Sequence, residues 1–187
     1  MAGIRTRVAV VTGVMGGAFP AAPEFLCAEI IFLQLRKVLE LIAFASLAAN
    51  KVAYAAVHTK FAAHWKAKAI LDELEKLNAA FFPVAMDEPQ ETAPGRKYFT
   101  RPTDGFLTKD DFVFLYNAAS GFLHTRNPYT AKDPTTSIRY PVAKWVARIQ
   151  RLLTWHHVQL IDGSLWIVQI PNEGDVQANP AAPLPDP

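Results

Sequence analysis

The chain has 187 residues, 51% of them apolar, and a formal net charge of +2 at pH 7. That is enough apolar sequence for one domain with a sizeable core; it excludes wholesale disorder and leaves two full domains without room. So small a net charge excludes a partner chosen by global charge alone, yet the distribution is uneven. From His124 to His157 six basic residues (Arg126, Lys132, Arg139, Lys144, Arg148 and Arg151) stand against one acid, Asp133, a local excess of +5. Such a segment either attracts phosphate or forms a solvated face.

At the N-terminus, Arg5 and Arg7 precede the apolar run Val8–Ala18, which is interrupted by Gly13, Gly16 and Gly17. The run has neither the cleavage pattern of a signal peptide nor the glycine spacing of a dinucleotide-binding turn. Residues 1–23 are therefore expected to be a flexible extension. Order begins near Glu24 with a long helix to about Asn50. Leu35, Val38, Leu39 and Ile42 supply its helical periodicity, and Asn50 its cap. The charges Glu29, Arg36, Lys37 and Glu40 are too many for a bilayer span, so no membrane is expected. Cys27 is the only cysteine, which excludes an internal disulfide and a cysteine zinc site and fits a reducing, cytoplasmic setting.

Periodicity predicts a second helix over 59–78, with Phe61, Trp65, Ile70, Leu74 and Leu77 inward. Residues 79–107, punctuated by Pro83, Pro89, Pro94 and Pro102, read as a long loop in which Lys97-Tyr98-Phe99 forms a short strand. Thr108 starts a third helix in a capping-box pattern with Asp111, and Asn127-Pro128 stops it. A fourth helix follows Pro141, with Val142, Trp145, Ile149 and Leu152 inward and Lys144, Arg148 and Arg151 as a basic line. Two β-rich runs, 156–161 and 164–170, flank Asp162-Gly163, the signal of a tight hairpin. A two-residue turn puts His156, Val158 and Leu160 on one face with Leu165 and Ile167, and His157 on the other with Gln159 and Trp166. Residues 172–187, rich in proline and alanine, read as a disordered tail. The expected fold is mainly α: a four-helix bundle-like core over 24–171 with a C-terminal antiparallel β-hairpin and disordered termini.

The residues able to carry chemistry are few. No metal-ligand spacing or cofactor motif occurs, so no cofactor is expected. Asn117, Ser120 and His124 share a polar stripe of the third helix, and Arg126 follows the histidine. His124 is either a site residue or a cation serving the helix C-terminus. Arg151 and His156 have a second arginine-to-histidine spacing, but across a helix-to-strand junction. Adjacent histidines in a strand also point to opposite faces.

Two segments carry a family resemblance. Ile31-Phe-Leu-Gln-Leu-Arg-Lys-Val-Leu-Glu-Leu-Ile-Ala is similar to the early core helix of HEPN-type domains. Phe114-Leu-Tyr-Asn-Ala-Ala-Ser-Gly-Phe-Leu-His-Thr-Arg-Asn-Pro-Tyr is similar to their later, histidine-bearing helix. The resemblance spans about residues 25–155. It implies a compact helical domain, often dimeric, of the kind found in bacterial defence and toxin–antitoxin systems, many of whose members are metal-independent ribonucleases. Their signature is an arginine followed, four to six residues on, by a histidine. Here the arginine slots fall on Asn117, Ala118 and Ala119, so His124 alone carries over and Arg126 stands beside it as the candidate cation. Under this resemblance His124 would assist proton transfer and Arg126 stabilise phosphoryl charge. Asn117 and Ser120 would support them, and Lys144, Arg148 and Arg151 would hold RNA. The alternative is a non-catalytic interaction module that forms a homodimer or docks a cognate protein.

Overall fold

The computed structural model describes residues 2–51, 67–123 and 137–183. Five helices lie among them: α1 Ala2–Met15, α2 Glu24–Ala49, α3 Ala67–Leu77, α4 Lys109–Leu123 and α5 Val142–Thr154. Six strands complete the fold: β1 Val84–Ala85, β2 Gln90–Ala93, β3 Arg96–Tyr98, β4 Trp155–Gln159, β5 Leu165–Gln169 and β6 Gln177–Ala181. β1, β4, β5 and β6 form one antiparallel sheet in the order β1-β4-β5-β6, and β2 and β3 form a separate hairpin. The architecture is thus mixed, helices packed against a four-stranded antiparallel sheet, rather than the mainly α bundle with one hairpin that the sequence suggested.

The helices form where the periodicity places them. In α2, Leu35, Val38, Leu39 and Ile42 turn into the core, each at most 2% exposed. Fully burying such a side chain is worth roughly 1.5–3 kcal/mol. Asn50 closes α2, its side-chain amide donating to the Ser46 carbonyl at 3.0 Å. Thr108 opens α4, its hydroxyl accepting the Asp111 N–H at 3.1 Å. Asp111 does not complete the capping box, because its carboxylate is turned to two arginines. Pro141 precedes α5, and Trp145, Ile149 and Leu152 are fully buried along it. Of the helix expected over 59–78, α3 is the described part; Phe61 and Trp65 lie outside the described residues.

Three expectations are corrected. Residues 1–23 carry α1, which lays Ile4, Val8 and Val11 into the same cluster as Leu35, Val38 and Leu39. The segment after Pro171 is not without structure: β6 pairs with β5 along five residues from Leu165↔Ala181 to Gln169↔Gln177. As an edge strand it tolerates Pro180, whose missing N–H costs no ladder bond on the open side.

The third correction is the hairpin register. The turn has three residues, Ile161, Asp162 and Gly163. Leu160 N–H donates to the Ser164 carbonyl at 2.9 Å, Gly163 N–H to the Leu160 carbonyl at 2.9 Å, and Gly163 sits at φ +83°. This is a turn followed by a left-handed glycine. One residue more than a two-residue turn reverses which face each partner strand presents. The observed pairs are His156↔Val168 and His157↔Ile167, so His157, Gln159, Leu165 and Ile167 share a face. His156 lies on the opposite face with Val168, toward the helices.

No helix among the described residues is long and apolar enough to cross a membrane.

Candidate functional site

The residues singled out in the sequence do not converge on one site. His124 and Arg126 lie outside the described residues. On the stripe before them, Asn117 is exposed, while Ser120 accepts a hydrogen bond from Arg36 Nη1 at 3.1 Å and donates to the Tyr116 carbonyl at 2.8 Å. Arg36 also reaches the Tyr116 hydroxyl at 3.3 Å and Glu40 at 3.3 Å, so it ties α2 to α4.

The basic line of α5 is not a common solvent-facing row. Lys144 is exposed and sits over the Tyr140 ring at 4.3 Å. Arg148 is only 5% exposed; its Nη2 donates to Asp111 Oδ2 at 2.7 Å and its Nη1 to Asp104 at 3.1 Å. Asp111, 4% exposed, accepts from Arg139 as well, at 2.9 Å. Arg151 is paired with Asp87 in the loop after β1. The spacing that aligned these cations was legible in the sequence. The acids from other elements that meet two of them were not.

A concave feature with convergent polar groups lies on the outer face of the sheet. Residues from three paired strands floor it: Trp155, His157 and Gln159 of β4, Leu165 and Ile167 of β5, and Gln177, Asn179 and Ala181 of β6. Lys97, Tyr98, Phe99 and Arg101, from β3 and the segment after it, line it as well, as do Pro180 to Pro183. The groove encloses about 680 Å³, within the range of sites that hold a small molecule. Phe99 and Trp155 meet at its base, ring centroids 5.4 Å apart. The segment after β3 is fixed in place: Asp87 N–H donates to the Thr100 carbonyl at 2.9 Å, and the Thr100 hydroxyl donates to the Asp87 carboxylate at 2.9 Å.

The groove's electrostatics are one-sided. Lys97 and Arg101 are exposed and have no ion-pair partner among the described residues, and no carboxylate lines the groove. Glu91, opposite Lys97 on β2, is turned to the Gly95 N–H at 2.9 Å. His157 is 8% exposed, with Nδ1 3.3 Å from the Met86 sulfur. Burial, and then the charge of Arg101, holds its pKa below the usual 6.5, so the ring is neutral at pH 7. On the other face His156 is buried, its Nδ1 3.2 Å from the Leu153 carbonyl, and burial pulls its pKa down to about 4.

Among the described residues no cluster of His, Cys, Asp and Glu could hold a metal ion. Of the groove residues, sequence reasoning had placed Lys97-Tyr98-Phe99 in a strand and His157 on one face with Gln159, and had put Leu165 and Ile167 on the opposite face; Arg101, Gln177 and Asn179 went unnoticed. The missed signal was the alternation of Gln177 and Asn179 within an apparent low-complexity tail. Comparison with protein-family models, curated proteins and solved structures finds no match.

Proposed function

We propose that this protein binds RNA through the outer face of its sheet. The observation that carries the reading is a groove in which, among the described residues, Lys97 and Arg101 have no ion-pair partner and no carboxylate lines the surface, beside the aromatic rings of Tyr98, Phe99 and Trp155. Cations that track phosphates beside aromatic faces that take bases are the two components of sequence-tolerant nucleic-acid binding. The HEPN-like resemblance adds metal-independent cleavage through His124 and Arg126; we confine the reading to binding, for which the groove gives support.

Fluorescence anisotropy with a labelled RNA at low salt, without metal, tests it. Micromolar or tighter binding is expected, falling steeply with salt. Lys97→Ala and Arg101→Ala should each reduce the slope of log affinity against log salt by roughly one. Lys144→Ala and Arg151→Ala provide the contrast: if these two alone change the slope, RNA runs along α5 and the groove is idle. Absence of binding to any RNA at micromolar protein would overturn the reading.

A second reading, an interaction module, has its own observation. Leu26, Leu33 and Phe44 project from one side of α2 at i, i+7 and i+18, with the exposed Lys37 between the last two, and are 40%, 40% and 38% exposed. Exposed apolar side chains on one side of a helix suit a partner helix or a second copy of the chain. Sedimentation equilibrium separates the two: under this reading Leu33→Glu converts a dimer to a monomer.

A further inference from the structure

Resting on the RNA reading, we infer that the groove takes unpaired bases and reads their Watson–Crick edges with the amides of Gln159, Gln177 and Asn179. These three residues come from two strands that flank β5, and the register brings them to one face. All three are exposed, and none of their side-chain amides has a hydrogen-bond partner among the described residues. Each amide presents a donor and an acceptor side by side, the pattern that matches a base edge. In a duplex those edges are already paired, and the A-form major groove is too narrow for side chains to reach them.

The shape of the groove points the same way. A volume of about 680 Å³, lined by Lys97, Tyr98, Phe99, Arg101 and Pro180 to Pro183, admits a ligand of nucleotide size. A base lying against Phe99 and Trp155 must first leave its own stack, which a single strand allows at little cost. Arg101, lining the groove beside His157, is then placed for the phosphate of the same nucleotide.

The test uses the full chain and three probes of one sequence: a single-stranded ten-nucleotide RNA, the same strand annealed to its complement, and the mononucleotide. The single strand should bind at least tenfold more tightly than the duplex. The Gln177→Ala, Asn179→Ala double variant should narrow the spread of affinities among oligo-A, oligo-U and oligo-C while leaving the salt slope unchanged. Both side chains are exposed, so the variant is expected to keep the wild-type far-UV spectrum, and Gln177→Glu is a second probe that should weaken all strands by charge. Equal or tighter duplex binding, or an unchanged spread in the double variant, would overturn the inference and leave RNA binding standing. Binding of the mononucleotide as tightly as the strand would also overturn it, reassigning the groove to free nucleotides. No binding of any probe would remove the RNA reading itself.

Discussion

At the residue scale, the most consequential side chain is Asp111, whose role is not local. In the sequence it reads as a capping residue or a partner of the helix dipole. In the structure it neutralises Arg148 across 37 residues, with both groups about 95% buried. Removing Asp111 leaves the buried Arg148 with only the exposed Asp104 as counter-charge, and breaking a buried pair in this way costs about 3–5 kcal/mol. Asp111→Asn is expected to lower the unfolding free energy by about 3 kcal/mol in urea, and replacing both partners with apolar residues of similar size should recover most of it. A loss under about 1 kcal/mol for the single change would mean that water reaches Arg148. His156 gives a pH signature. Unfolded, its imidazole takes a proton near pH 6.5; folded, it resists protonation until about pH 4. Its contribution is fully present above 6.5, is lost as the pH falls from 6.5 to 4, and is constant below that. The loss should be about 3 kcal/mol, and the stability profile of His156→Gln should be flatter over the same window. Identical slopes in the two proteins would rule out the buried neutral ring.

At the element scale, what was legible depended on whether the decisive contact was local. Helices α2, α4 and α5 show their inward faces in the sequence because one helix carries the whole pattern. The hairpin was legible as a hairpin, but not in its register, because Asp162-Gly163 suits a two-residue turn and a three-residue turn equally. One residue then decided which β5 side chains share the groove face with His157: Leu165 and Ile167 rather than Trp166. The left-handed position is occupied by Gly163, and a Cβ added there would meet nothing within 4 Å. Gly163→Ala should therefore cost about 1 kcal/mol from backbone strain alone, with Gly163→Asn closer to wild type. Chemical denaturation of the two variants checks this; equal stabilities would argue against the left-handed turn. Strand β6 was not legible: Gln-Ala-Asn-Pro-Ala has little strand preference of its own, and its partner β5 supplies the pairing.

At the scale of the whole molecule, α1 packs against the C-terminal part of the fold. Arg5 Nη1 donates to the Gly174 carbonyl at 2.8 Å across 169 residues, and Ile4, Val8 and Val11 share one core cluster with Ile149, Leu153 and Ile170. The spacing of Ile4, Val8 and Val11 was present in the sequence at i, i+4 and i+7. Gly13, Gly16 and Gly17 obscured it by suggesting a break; Gly13 lies within α1, and only Gly16 and Gly17 stand where α1 turns toward α2. A core that joins α1 to the segment around Ile170 predicts one cooperative unfolding unit. Deleting residues 1–17 strips three buried side chains from that cluster, each worth roughly 1.5–3 kcal/mol, and removes the tie to the segment before β6. The truncated chain is expected to unfold at markedly lower urea, and its β5 amides should exchange with solvent faster than in the full chain. If the midpoint and the β5 protection are both unchanged, α1 is an appendage and the core begins at α2.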